Sequence, residues 1–238
     1  MPTTTTTTTT TSIDVDGGTM PAHLAIPDSG HGPGVVLFQE LLGVNDYVRD
    51  VAERLAGEGF VTVAPVFYWR LDGKIEFNRE DEIGEAFGLM ERFDNALAMA
   101  DAAAALAWLR ARPEVDGGSG GLGFCMGGGL VYTFAATADP DGVVSYYGPQ
   151  VLGALDLAPR IECPMLFHFG RTDPIVPITA VEGVKEASLA AATWRSASTT
   201  PATPSTTIMR RRCTTPRLRP RRGVASQVEF LRRSCSAI

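Results

Sequence analysis

Gly121-Leu122-Gly123-Phe124-Cys125-Met126-Gly127-Gly128-Gly129 is the stretch on which the reading of this chain turns. An apolar run leads into it, an apolar helical pattern continues to about Ala136, and Cys125 stands between with glycine two residues to either side. A strand that turns at once into a helix leaves no room for a Cβ at those two positions, so glycine is needed there. The turn lifts the Cys125 side chain out of the sheet and sets it at a helix N-terminus. Free N–H groups and the helix dipole favour a thiolate at that place, and later an oxyanion. The spacing therefore predicts a nucleophile elbow with cysteine where serine is more usual. The plainer alternative, a buried structural cysteine at a strand end, does not account for the flanking glycines.

Working outward, apolar runs alternate with helical patterns. Before the elbow, Val35–Phe38 and Phe60–Ala64 read as short buried strands, the second stopped by Pro65. Between them Asn45 is placed to cap a helix running to about Ala56, with Val48, Val51, Ala52 and Leu55 on one face and Gly57 ending it. An alanine-rich helix covers about Asn95 to Ala111 and stops before Pro113. Beyond the elbow, Val143–Tyr147 and Met165–Phe169 read as strands, and Ala180–Ala192 has helical composition. Two short strands, Ile13–Val15 and His23–Ile26, flank Asp16-Gly17-Gly18. This alternation predicts an α/β fold: a mostly parallel sheet with helices on both faces and a functional edge at the C-terminal ends of the strands.

The totals narrow the class. A chain of 238 residues with 45% apolar and 20% charged residues suits one larger α/β domain. No apolar run approaches the roughly 18 residues of a membrane span, and no basic-then-apolar leader marks a secretory signal. The four cysteines, Cys125, Cys163, Cys213 and Cys235, form no CxxC pair and no zinc spacing. Free thiols in a cytoplasmic protein, with no bound metal, are the expectation. Residues 3–11 are all threonine, so residues 1–12 are expected to be a disordered leader. The α/β domain is then expected over 13–192, with 193–238 an atypical basic tail read as an altered C-terminus of the same domain. That tail carries 10 of the 21 basic residues and one acid, Glu229, which makes it +9 within a chain of net charge −6.

Four segments taken together resemble the dienelactone hydrolase family, across about residues 13–192. Gly-Phe-Cys-Met-Gly-Gly-Gly at 123–129 resembles its elbow. Phe38-Gln39-Glu40-Leu41-Leu42-Gly43 resembles the segment that carries its active-site glutamate. Ala64-Pro65-Val66-Phe67-Tyr68-Trp69-Arg70 is similar to its Ala-Pro-x-x-Tyr stretch. Phe167-His168-Phe169-Gly170-Arg171-Thr172-Asp173-Pro174-Ile175-Val176-Pro177 resembles the strand and loop of the triad acid. The resemblance implies a three-layer α/β-hydrolase that cleaves small esters or lactones through a cysteine acyl-enzyme, without a cofactor. It makes Cys125 the nucleophile, Asp173 the acid that orients a histidine, and Glu40 the holder of the resting thiol. The backbone N–H groups of Leu41 and Met126 would form the oxyanion hole, and Arg70, Arg79 and Tyr68 would face the substrate. Plainer roles exist for each: Glu40 as a solvated loop acid, Asp173 as a turn former. His168, inside an apolar strand, reads as a sheet histidine, and His23 and His31 as structural.

The triad base is missing. The resemblance places it about thirty residues after the acid, in a Gly-His context, yet residues 193–238 contain no histidine. A one-base slip in the gene accounts for this. Taking the third base of each codon with the first two of the next from Ala192, and choosing GC-rich codons, Thr193–Thr215 re-reads as Asp-Val-Glu-Val-Arg-Val-Tyr-Asp-Ala-Gly-His-Ala-Phe and onward. An alternating strand is followed by Gly-His. The hidden codon spans Ala202 and Thr203 and requires GCC at Ala202. Only Val228–Arg233 of the printed tail reads as a helix remnant. Three rivals stand beside the hydrolase reading: a non-catalytic relative, a Cys-elbow amidotransferase or chaperone, and a basic tail that binds nucleic acid through Arg210–Arg212 and Arg217–Arg222. The expectation is a monomeric cytoplasmic hydrolase that acts on a small molecule, with no nucleic-acid or membrane partner.

Overall fold

The computed structural model describes residues 6–190, 194–197, 208–211 and 231. Nine strands form one sheet: β1 (Thr7–Val15), β2 (Gly18–Ile26), β3 (Gly32–Phe38), β4 (Val61–Pro65), β5 (Val115–Phe124), β6 (Val143–Tyr146), β7 (Met165–His168), β8 (Trp194–Ala197) and β9 (Ile208–Arg211), in the order β1-β2-β4-β3-β5-β6-β7-β9-β8. The five central strands, β4, β3, β5, β6 and β7, run parallel. Both margins are antiparallel. The helices are α1 (Asp46–Gly57), α2 (Ile83–Glu91), α3 (Asn95–Arg110), α4 (Met126–Thr137) and α5 (Ile178–Ala190).

The central strands are apolar throughout because both faces of the sheet are covered. Side chains alternate between two cores. Val36 and Phe38 of β3, Val61 and Val63 of β4, and Met165 and Phe167 of β7 pack with α2–α5. Val35, Leu37, Leu122, Val144 and Leu166 point the other way, to α1 and Leu231. This is a three-layer α/β sandwich, as the alternation of elements predicts.

Helix α1 begins as its sequence requires. The Asn45 side chain accepts from the Val48 N–H at 3.2 Å. Such a cap is worth about 1 kcal/mol. Asp94 caps α3 in the same way through Ala96 and Leu97.

Two expectations are corrected. Residues 7–12 are not a leader: they form the first part of β1, paired from Thr7↔Ile26 through Ser12↔Pro21. Threonine is β-branched and suits an exposed marginal strand, a propensity that repeat composition hides. Residues 1–5 lie outside the described residues. In the tail, 194–197 and 208–211 are strands of the same sheet, joined to β7 at Leu166↔Arg210. The sheet therefore continues past the boundary set at residue 192. Of Val228–Arg233 only Leu231 is described; it is helical and fully buried. The slip's hidden histidine codon also falls outside the described residues.

Register fixes the location of the site. Phe38 pairs with Gly123, Phe124 with Tyr146, and Tyr146 with His168. Four parallel strands thus end level, and the loops that leave them share one edge.

Candidate active site

Cys125 caps α4 with φ 52° and ψ −118°. A non-glycine residue in that region is strained by about 1–3 kcal/mol, a pattern found where chemistry needs a fixed geometry. A Cβ on Gly123 would lie 2.1 Å from the Gly127 carbonyl oxygen, and one on Gly127 would lie 2.5 Å from that of Phe38. Both contacts are with backbone, so neither glycine can be replaced without moving the turn. The Cys125 N–H donates to the Tyr146 carbonyl at 3.0 Å, which ties the elbow to the next strand.

The resting thiol is held protonated. Burial pushes its pKa up, the Met126 N–H opposes this, and the carboxylates of Glu40 and Asp173 push it up further. Its electrostatics therefore tie Cys125 to Glu40, Asp173 and the Met126 N–H. The helix terminus that favours a thiolate is outweighed here by burial and two acids.

Glu40 follows β3. Burial raises its carboxyl above the ordinary range, and the Tyr147 hydroxyl, which donates to Oε1 at 3.3 Å, opposes the rise. Asp173 lies in the loop after β7, where its Oδ1 accepts from the Ile175 and Val176 N–H groups at 2.8 and 3.1 Å. It is a turn former as well as a charge felt by Cys125.

Three histidines lie within the described residues. His31 pairs with Asp116 at 2.6 Å, at the opposite edge of the sheet. His23 lies in β2 opposite Ala64. His168 is buried and stacks on Tyr146 with ring centroids 4.5 Å apart. Within the described residues no three His, Cys, Asp or Glu side chains gather to hold a metal, and no helix is long and apolar enough to cross a membrane.

Arg70, Tyr68 and Arg79, expected to face a substrate, each have a partner within the protein. Arg70 is committed elsewhere: Nε and Nη2 bind the Asp101 carboxylate at 3.1 and 2.7 Å, and Nη2 also donates to the Asp16 carbonyl. Asp101 is 1% exposed, so removing Arg70 would leave a buried uncompensated charge. Tyr68 is fully buried. Its hydroxyl lies 3.1 Å from the Leu41 carbonyl oxygen and 3.2 Å from Met126 Sδ. Arg79 is exposed and paired with Asp81.

Two residues at this edge escaped the sequence reading. Tyr147 has φ 38° and directs its hydroxyl at Glu40. Gln39 accepts from the Phe67 N–H at 2.9 Å and fixes the loop behind Glu40. The only local signal for Tyr147 is its place at the end of a parallel strand.

Comparison with known proteins identifies the family. The profile of the dienelactone hydrolase family matches residues 20–195. A carboxymethylenebutenolidase from Pseudomonas sp. (strain P51) is 38% identical over 172 residues, covering 71% of this chain and 72% of that protein. Carboxymethylenebutenolidase 1 from Cupriavidus pinatubonensis is 35% identical over 162 residues, covering 67% and 69%. In solved structures, a dienelactone hydrolase-like promiscuous phosphotriesterase from metagenomic libraries superposes with a TM-score of 0.65 at 27% identity, over 79% of this chain and 78% of that one. This chain belongs to the dienelactone hydrolase family.

Proposed function

We propose that this hydrolase cleaves small carboxylic esters or lactones through a thioester on Cys125, as the names of its carboxymethylenebutenolidase relatives suggest. The observation that carries the reading is the strained elbow at Cys125, whose thiol feels the Met126 N–H and the charges of Glu40 and Asp173. The Cys125 sulfur attacks the carbonyl carbon, and the π pair moves onto oxygen. The N–H groups of Leu41 and Met126 receive that oxyanion. Collapse expels the alcohol oxygen and leaves a thioester, which water then hydrolyses. Glu40 draws the thiol proton when substrate enters, and Asp173 orients the imidazole that carries it to the leaving group. Arg79 is left as the candidate for a substrate carboxylate. The enzyme works as a cytoplasmic monomer, a reading supported by its acidic body and its lack of a CxxC pair.

The base comes from the re-read frame across Ala202 and Thr203. A second reading, the non-catalytic relative, is favoured by one observation: residues 193–238, where the family resemblance places the triad base, contain no histidine. Sequencing the gene across codons 185–235 decides between them. A one-base slip with GCC at codon 202 restores the base, and the corrected chain then hydrolyses p-nitrophenyl acetate, with activity lost in Cys125→Ala. Any other codon at 202 removes the frame argument. Ester hydrolysis that survives Cys125→Ala removes the nucleophile.

A further inference from the structure

Tyr68 touches the two residues of the proposed oxyanion hole and brings them together. Leu41 belongs to the loop after β3, and Met126 is the first residue of α4. No covalent path of fewer than 80 residues joins them. The Tyr68 hydroxyl spans the gap, 3.1 Å from the Leu41 carbonyl oxygen and 3.2 Å from Met126 Sδ. Its ring is held edge-on by Phe93, with centroids 5.5 Å apart. The adjacent Phe67 N–H is fixed to the Gln39 side chain, so the segment after β4 grips the loop after β3 at two points. Burial keeps the hydroxyl protonated, with the nearby Cys125 sulfur adding to the effect and Gln39 opposing it.

We propose that Tyr68 is a positioning residue for the oxyanion site, its hydroxyl bracing Leu41 against Met126 so that their N–H groups converge on one oxygen. The proposal rests on Cys125 being the nucleophile. Tyr68 acts on position, not on acidity: its bond reaches the Leu41 carbonyl, whereas the Leu41 N–H belongs to the preceding peptide plane. Oxyanion stabilisation depends on donors placed within a few tenths of an ångström of the developing charge, so a brace between two separate elements has a direct chemical consequence.

The test uses the full chain and an aryl trifluoromethyl ketone. The Cys125 sulfur adds to the ketone carbon, forming an S–C bond. The thiol proton passes to the former carbonyl oxygen, and this hydroxyl then titrates to an oxyanion that fluorine NMR follows. The readout needs no turnover and no triad base. In Tyr68→Phe the adduct forms but its oxyanion is about tenfold less stabilised, less than the loss from deleting a donor outright. Its midpoint therefore rises by about one pH unit. Tyr132→Phe, at a buried tyrosine whose ring packs at a tilt against Phe167, carries a similar packing change and leaves the midpoint where it was. A Tyr68→Phe midpoint equal to that of the parent overturns the proposal. Should Tyr68→Phe fail to fold, Met126→Leu removes the sulfur contact and keeps the N–H. A smaller rise is expected, and an unmoved midpoint overturns the proposal equally. A parent chain that is folded and forms no adduct overturns the nucleophile reading instead.

Discussion

At Cys125 the backbone is held at φ 52° and ψ −118° by the approach of Gly123 to Gly127 and by the bond to Tyr146. Glycine tolerates that conformation and cysteine does not. Cys125→Gly should therefore raise the unfolding midpoint while removing the nucleophile, by about 1 kcal/mol in denaturant titrations. A destabilised variant would show that the elbow is relaxed. The thiol offers a second check. Burial is the main reason its pKa is raised, and Glu40 adds to it through charge. In Glu40→Gln the charge is gone and the burial remains. The pH midpoint of Cys125 alkylation, read peptide by peptide after iodoacetamide, should move down without reaching the value of a free thiol. An unchanged midpoint would mean that the Glu40 charge is not felt at the sulfur.

Among the elements, α1 is fastened to the segment before α2. Arg49 grips Glu76 with both terminal nitrogens, at 2.8 and 2.5 Å. The Asn45 amide donates to the Phe77 carbonyl, and the Asp46 N–H donates to the Asn78 side chain. These contacts hold residues 76–78 over the loop that carries Glu40 and Leu41, because the Phe77 N–H also donates to the Leu42 carbonyl. The Arg49 hydrogen bond draws the Glu76 carboxyl below its ordinary value near 4.5. A group whose folded pKa is lowered adds stability above its unfolded pKa and loses it as pH falls through the folded value. Glu76→Gln should thus cost stability at pH 7, and the gap to the parent should close below pH 4. Both side chains are about one-third exposed, 34% and 36%, so the effect is about 1 kcal/mol or less. Urea unfolding at the two pH values measures it, and a gap that persists in acid would assign the loss to packing.

On the scale of the whole molecule, the described residues cover the two faces of the sheet unequally. Helices α2 to α5 cover one core, while α1 and Leu231 are the described partners of the other. Beside α1 runs a groove of about 710 Å³, lined by Val51, Leu55, Leu122, Phe124, Tyr146 and Leu231 among others. Leu231 is fully buried although it lies seven residues from the end of the chain. Leu231→Ala should cost about 3 kcal/mol in guanidinium unfolding, as truncation of a core leucine does. A loss below about 0.5 kcal/mol, the usual effect of a surface change, would mean that the tail does not stabilise the sheet.

Local patterns carried much of this. The glycines around Cys125 leave one turn open to that stretch, the unbroken apolar runs require a sheet covered on both faces, and Asn45 and Asp94 announce their helices. These are short-range effects, decided by sterics, periodicity and capping within a few residues. The threonine run was misread because composition outweighed β-propensity. Contacts across long sequence separations were beyond such reading: Arg70 turned to Asp101 instead of a ligand, Tyr68 closing over Leu41 and Met126, and Tyr147 reaching Glu40 from 107 residues away. The sequence by itself determined the sandwich of layers and the residue at the elbow, because steric and hydrophobic rules act locally along the chain. Only the tertiary structure decided which polar side chains face Cys125 and which are spent on one another, because register and burial bring distant residues to the same edge.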